Sequence, residues 1–239
     1  MKIEVAFTPA ELAGIDLGDR VVVVLDVLRA TSTIVEALAN GARAVSPVST
    51  VDEAVRLAEA LGREGVLLAG ERRSLRIDGF DMGNSPLEFT RERVSGKQIV
   101  LTTTNGTVAI LASATARRVL IASYLNLGAV AEELVHDGGP ASIVCSGRER
   151  RFALEDALCA GALVRRVSER TNGAFELNDA ARAAVDLFAA YGADLAGAFA
   201  RTAAGRQLID AGLEADLEYC TRTDVHAVVP ELRDRQIIS

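Results

Sequence analysis

Two periods alternate along this chain. Short β-branched and apolar runs such as Val21–Leu25 and Ile99–Leu101 give way to stretches with an apolar residue every three to four positions. The first is strand grammar and the second is helix grammar. Strands are predicted over 2–7, 21–27, 44–48, 66–69, 98–102, 118–122 and 141–145, with a last one over 226–229. Helices are predicted over 32–40, 51–61, 86–93, 106–114, 127–136 and 153–170, then over 178–190, 194–200 and 202–211. Asn40-Gly41 and Gly138-Gly139-Pro140 stop two of them, and Thr50 and Ser85 are placed to cap two others. Strands alternating with helices at this spacing make an α/β fold: a mostly parallel open sheet with helices on both faces, followed by a helix-rich C-terminal third. The unbroken run at 21–25 suits a central strand buried on both faces, whereas Lys2–Phe7, alternating charged and apolar residues, suits an edge. No Pro-, Gly- or Ser-rich linker interrupts the pattern, so 1–239 reads as one domain, with 172–222 the segment that could form a helical subdomain. Residues 73–85 are polar, glycine-punctuated and too irregular for an element, and loops of that length tend to be functional or disordered.

The strand ends carry the chemistry. In open α/β sheets ligands bind beyond the carboxyl ends of the strands. Here the strand at 98–102 runs into Thr102-Thr103-Thr104-Asn105-Gly106-Thr107, with four threonines in six positions. The strand at 21–27 runs into Asp26, Arg29, Thr31, Ser32 and Thr33; the strand at 66–69 into Glu71, Arg72 and Arg73; the strand at 141–145 into Ser146, Gly147 and Arg148. Short polar side chains and free amides at a strand-to-helix junction are what a phosphate needs.

Composition narrows the classes. The net charge is −7 and no basic run is present, which argues against a nucleic-acid binder. The N-terminus is too short and too charged for a signal peptide, and no uninterrupted apolar stretch approaches the ~18 residues of a membrane span. The three cysteines, Cys145, Cys159 and Cys220, are widely spaced; no disulfide framework and no zinc-ligand spacing is evident, and a reducing cytoplasm is the expected compartment. Neither a P-loop nor a dinucleotide glycine motif occurs.

Three constellations remain. The acids Asp26, Glu71, Asp81, Glu155 and Asp156 fall at strand ends, in the irregular loop or in a first helical turn, and carboxylates converging on one cleft hold magnesium. Against this stand an Asp26–Arg29 salt bridge and a dipole-complementing role for Glu155 and Asp156. The arginines Arg29, Arg72, Arg73 and Arg148 offer planar forks of donors to phosphate, sulfonate or carboxylate, or else are solvated surface charge. The hydroxyls and one amide, Thr31, Ser32, Thr33, Thr103, Thr104, Asn105, Thr107 and Ser146, divide between helix caps and ligand contacts. Cys145 is either a nucleophile or a small buried hydrophobe. The Cys-to-Arg151 spacing is that of thiolate phosphatases, without their glycine density. His136 and His226 fit no triad.

Taken together, these segments resemble the 2-phosphosulfolactate phosphatase family. The matching pieces are Asp26-Val27-Leu28-Arg29-Ala30-Thr31-Ser32-Thr33, Gly70-Glu71-Arg72, Gly79-Phe80-Asp81-Met82-Gly83-Asn84-Ser85-Pro86, Thr103-Thr104-Asn105-Gly106-Thr107, and Cys145-Ser146-Gly147-Arg148 followed by Glu155-Asp156. They lie in order between about 20 and 160. The resemblance implies a magnesium-dependent, cytoplasmic phosphoric monoester hydrolase. Its reaction would convert 2-phospho-3-sulfolactate to 3-sulfolactate and phosphate on the route to coenzyme M. Activity on other 2-hydroxycarboxylic acid phosphates, or binding of an organophosphate or sulfonate without hydrolysis, are the alternatives. On this reading Asp26, Glu71, Asp81 and Asp156 hold the Mg2+, and Asp26, Arg29, Cys145 and Arg148 carry the chemistry. Thr31, Ser32, Arg72, Asn84, Thr103, Thr104, Asn105, Gly106, Ser146 and Gly147 contact a small anionic ester. Whether water attacks directly, or Asp26 or Cys145 forms a phosphoenzyme, is left open by the residues. The alanine-rich C-terminal helices suit a homodimer interface.

Overall fold

The computed structural model describes residues 1–171 and 175–239. Its strands are β1 (Lys2–Ala6), β2 (Val21–Leu25), β3 (Ala44–Pro47), β4 (Val66–Arg72), β5 (Leu75–Arg76), β6 (Gln98–Thr102), β7 (Arg118–Ala122), β8 (Ala141–Cys145), β9 (Glu176–Leu177), β10 (Glu231–Arg233) and β11 (Gln236–Ile238). Its helices are α1 (Ala30–Ala39), α2 (Val51–Ala60), α3 (Arg91–Val94), α4 (Gly106–Ala112), α5 (Leu127–Asp137), α6 (Leu154–Thr171), α7 (Asp179–Tyr191), α8 (Leu195–Arg201), α9 (Ala203–Asp210) and α10 (Glu214–Cys220). The strands form one sheet in the order β5-β4-β6-β3-β11-β10-β7-β2-β8-β1-β9. Pairing is parallel within β4-β6-β3 and within β7-β2-β8-β1-β9. The antiparallel hairpin β10–β11 joins these two halves.

Strand alternation builds the core. Val21, Val23 and Leu25 of β2 enter one cluster with α5, α6 and α7, while Val22 and Val24 enter the opposite cluster with α1 and α4. All five side chains are buried. At roughly 1.5–3 kcal/mol for each fully buried aliphatic side chain, this strand alone anchors both layers. The helix α2 covers the second face of β4 and β6 through Ala54 and Ala58.

The two halves are antiparallel across the hairpin, yet their carboxyl ends meet. The junction after β6 reaches the junction after β2 although five strand steps separate them in the sheet. A side chain on Gly106 would place its Cβ 2.5 Å from Ala30 Cβ and 2.7 Å from Asp26 Oδ2. Only glycine allows that approach.

Several expectations need correction. β1 is not an edge, because the two-residue β9 pairs outside it. The helix expected over 86–93 is a 3-10 turn at Pro86–Glu88 and a separate α3, broken where Phe89 turns into the core. No strand forms over 226–229: His226 N–H donates to the Leu125 carbonyl instead of to a ladder. The closing strands lie further on, in β10 and β11, whose two-residue turn places Asp234 and Arg235 at positive φ. Neither they nor α10 stood out in the apolar pattern. The stretch Asp179–Arg201 has a mean hydropathy of 1.3 over its most apolar window, long enough by composition to span a bilayer. It is interrupted at Gly192–Asp194, and α7 packs on α6 and β1. The first residues of the suggested subdomain, 172–174, lie outside the described residues.

Candidate active site

The carboxyl ends of β2, β4, β6 and β8 open on one cavity of about 310 Å³. It is lined by Asp26, Arg29, Glu71, Arg72, Arg73, Ser74, Asn84, Thr103, Thr104, Asn105, Ser146, Gly147, Arg148, Glu149, Glu155 and Asp156, with Leu28, Ala204 and Gln207. Most residues singled out in the sequence are therefore brought together.

The acids form one side. Asp26 follows β2 and is buried; its Oδ1 accepts from the Ala30 amide at 3.3 Å. Burial pushes its carboxyl up to about 6, against the Ala30 amide and Ser146, which favour the charged form, while the charges of Glu71 and Glu155 push it further. Asp156 braces two loops. Its Oδ1 accepts from Val27 N–H at 2.9 Å, and its Oδ2 accepts from Ser146 Oγ and Gly147 N–H, both at 3.1 Å. Its carboxyl is raised well above the ordinary range by burial first, then by the charges of Asp26 and Glu155. Glu155 is raised by burial, against its own backbone amide, Thr202 and Arg148. Glu71 is a second brace. Its Oε1 accepts from Thr104 N–H and Thr104 Oγ1, both at 2.8 Å, and its Oε2 from Ser74 N–H at 2.8 Å.

The arginines divide into two kinds. Arg29 is buried against Asp216, with Nη1 to Oδ2 at 2.6 Å, and its Nη2 donates to the Ser74 carbonyl at 2.8 Å. Arg72, Arg73 and Arg148 have no carboxylate partner within salt-bridge distance among the described residues. Arg72 lies along Thr102, donating to its hydroxyl at 3.1 Å, and Arg148 donates to Gln207 Oε1. Three guanidinium groups around one cavity, none tied into a salt bridge, can receive a small multiply charged anion.

The hydroxyl-rich stretch is held by its own neighbours. Thr103 Oγ1 accepts from Thr107 N–H at 3.1 Å, and Thr103 N–H donates to Thr107 Oγ1 at 3.2 Å. This reciprocal pair satisfies an amide in the first turn of α4. Asn105 Oδ1 accepts from Glu149 N–H at 3.1 Å. After β2, Asp26 N–H donates to Thr31 Oγ1 at 3.0 Å, Ser32 Oγ to the Val27 carbonyl at 2.9 Å, and Thr33 Oγ1 to the Asn84 carbonyl at 2.9 Å. Thr31 and Ser32 are fully buried and do not line the cavity; Gly106 packs on Asp26 just behind it.

Two further residues stand apart from the cavity. Asp81 is exposed, and its Oδ2 accepts from Leu68 N–H at 2.8 Å. Cys145 shares the parity of Ala141 and Ile143 and points into the core with Leu158 and Cys159. Burial raises its thiol well above the ordinary range, with Asp156 adding to the effect, which is the reverse of an activated nucleophile. The cavity also uses residues the sequence reading did not single out: Ser74, Glu149 and Gln207 in its wall, and Asp216 behind Arg29. Asp216 carried one signal, an acid four residues before buried Cys220 on the apolar face of α10.

The family model described as 2-phosphosulpholactate phosphatase matches residues 6–235. The chain belongs to that family. A relative from Clostridium acetobutylicum is 38% identical over 238 residues, covering 100% of both chains. One from Thermotoga petrophila is 45% identical over 213 residues, with 89% of each chain covered. One from Caldanaerobacter subterraneus is 41% identical over 219 residues, covering 92% of this chain and 90% of its own. Each bears the name "Probable 2-phosphosulfolactate phosphatase". The family is one of phosphoric monoester hydrolases, and a small phosphate ester is the substrate class it implies.

Among the described residues no three Asp, Glu, His or Cys side chains form a ready-made metal shell. Magnesium does not require one, since it commonly takes one or two carboxylates and completes its octahedron with waters and substrate oxygens. The donor set here is oxygen only. Asp26 and Glu155 are the acids whose oxygens are least committed to backbone donors; burial raises both carboxyls, and at Asp26 the charges of Glu71 and Glu155 add to it. A hard divalent cation fits that surplus of negative charge.

Proposed function

We propose that this cavity hydrolyses 2-phospho-3-sulfolactate to 3-sulfolactate and inorganic phosphate, with Mg2+ as cofactor, as a step toward coenzyme M. The observation that carries the reading is the meeting of buried acids with Arg72, Arg73 and Arg148, which lack counter-ions. A substrate bearing phosphate, carboxylate and sulfonate presents several anionic groups for three arginines. The names of the relatives support this substrate over other phosphate esters.

Asp26 and Glu155 would hold the magnesium, which when bound neutralises charge on the phosphoryl oxygens. Arg72, Arg73 and Arg148 bind and orient the anionic groups. Braced by Glu71, the Thr104 loop keeps the β6 wall fixed, and Asp156 does the same for the turns after β2 and β8. In the net reaction the ester C–O–P bridge breaks at the P–O bond, the oxygen of one water ends on phosphorus, and a proton of that water leaves on the alkoxide as the hydroxy acid. Of the nucleophiles considered, Cys145 is removed by its place in the core; water and the Asp26 carboxylate remain. Three buried free cysteines are in keeping with a reducing cytoplasm.

The test is phosphate release by the purified chain from 2-phospho-3-sulfolactate and from phosphate esters of 2-hydroxy acids lacking sulfonate, each with Mg2+ and with EDTA. Magnesium-dependent release, fastest with the sulfonate, is expected. Equal rates for all esters would widen the substrate to 2-hydroxycarboxylic acid phosphates. Tight binding with no release would make the protein a binding relative.

A further inference from the structure

Both α9 and α10 meet an arginine of the cavity. From α9, Gln207 accepts from Arg148 Nη2. From α10, Asp216 accepts from Arg29 Nη1 at 2.6 Å, with the two side chains only 2% and 3% exposed. The other oxygen of Asp216 accepts from Ser85 Oγ, also at 2.6 Å. Ser85 follows Asn84, whose carbonyl is held by Thr33 and whose Oδ1 is buried with no partner among the described residues.

A buried ion pair is a poor device for stability, because apolar residues of the same volume often do as well or better. What this one supplies is geometry. Arg29 carries a long, flexible side chain, and Asp216 and the Ser74 carbonyl fix two of its nitrogens. The same carboxylate pins the turn that presents Asn84 to the cavity. Its charge also cancels that of Arg29, which leaves Arg72, Arg73 and Arg148 as the arginines of the cavity without a salt-bridge partner among the described residues.

We propose that Asp216 is a positioning residue of the hydrolytic site, fixing Arg29 directly and Asn84 through Ser85, with Gln207 fixing Arg148 in the same way. The inference rests on the phosphate-ester reading above. It makes α9 and α10 part of the active site, although they follow the last predicted site residue by some 50 positions.

The experiment measures kcat and KM for phosphate release from 2-phospho-3-sulfolactate with Mg2+, using the full chain and its Asp216→Asn, Ser85→Ala and Gln207→Ala variants, with exposed Glu218→Gln as control. Folding is checked by circular dichroism and Tm. Misplacing a binding group by about 1 Å costs about 100-fold in rate, so folded Asp216→Asn should lose about that in kcat/KM. Ser85→Ala should lose about tenfold, the worth of one hydrogen bond to a charged group. Gln207→Ala should raise KM severalfold with kcat held, a split that a merely structural role would not give. Glu218→Gln should match wild type. Folded Asp216→Asn with unchanged kcat and KM overturns the proposal. Should that variant fail to fold, unchanged constants in both Ser85→Ala and Gln207→Ala overturn it. A wild type that releases no phosphate defeats the functional reading and this inference with it. Wild-type turnover with indifferent variants defeats this inference alone.

Discussion

After β2 the chain turns through Asp26 and a run of hydroxyls at Thr31, Ser32 and Thr33; after β6 it turns through Thr102, Thr103, Thr104 and Thr107. The two junctions look alike in sequence and touch in space at Gly106. In both, most of the hydroxyls serve the backbone: Thr31 and Ser32 accept from or donate to residues 26 and 27, and Thr103 and Thr107 bond each other, while Thr102 and Thr104 meet the Arg72 and Glu71 side chains. They differ in charge. The β2 junction brings Asp26 to the cavity, raised to about 6, whereas the β6 junction brings no charged group of its own and is tied down by Glu71. Hydroxyls build these loops, and ionised groups meet the ligand. A threonine-rich junction is therefore weaker evidence for a phosphate cradle than the acids and arginines beside it.

The largest expected effect follows from that difference. Asp26→Asn keeps the shape and removes the charge, and turnover should fall on the order of 10³-fold, as for loss of a group stabilising charge in the transition state. Steady-state kinetics on folded protein check this. Turnover within a few-fold of wild type would place the catalytic charge elsewhere and collapse the contrast between the junctions.

A second effect concerns stability. The Asp26 carboxyl sits at about 6, above the 3.8 of an ordinary aspartate. The folded state thus holds this proton more tightly than the unfolded chain does. The resulting stability is fully present below about 3.8 and is lost as pH rises through about 6. The gap corresponds to as much as about 3 kcal/mol. Without divalent metal, Tm should therefore drop between pH 5 and pH 7.5. Added Mg2+ should recover more at pH 7.5 than at pH 5, since it replaces a proton already gone. Glu4, Asp137 and Glu231, lowered by their basic partners, act in the opposite direction and below about 4.5, outside this window. A Tm that is flat across the window and indifferent to Mg2+ would sever Asp26 from any metal.

How much of this could be read from the residues depends on distance along the chain. The parallel units were legible because β2, β6, β7 and β8 are dense apolar runs followed at once by helical periodicity. The carboxyl ends of β2, β6 and β8 gave Asp26, the threonines and Arg148, and that of β4 gave Arg72. Cys145 was placed ambiguously, although two-residue alternation with Ile143 already turns it to the core face. Asp216 was missed because its partners lie 187 and 131 residues away and no local pattern announces them. The hairpin β10–β11 escaped because three-residue strands separated by Asp234-Arg235 carry too few apolar positions to register a period.

The smallest effect tests the β6 junction itself. Thr103→Val removes the oxygen that accepts from Thr107 N–H at 3.1 Å and leaves that buried amide without its cap. Losing a helix cap costs about 1 kcal/mol, and somewhat more where the orphaned group is buried. The variant should melt a few degrees lower while the folded enzyme keeps kcat within about threefold, because the hydroxyl is spent on the backbone and not on the ester. Thr104→Val, which frees Glu71 Oε1 from its hydroxyl partner, should weaken substrate binding before it slows turnover. If Thr103→Val instead abolished turnover at unchanged Tm, its hydroxyl would have to contact the reacting phosphate. The two junctions would then be catalytic partners, with the uncharged one no longer a scaffold for the charged one.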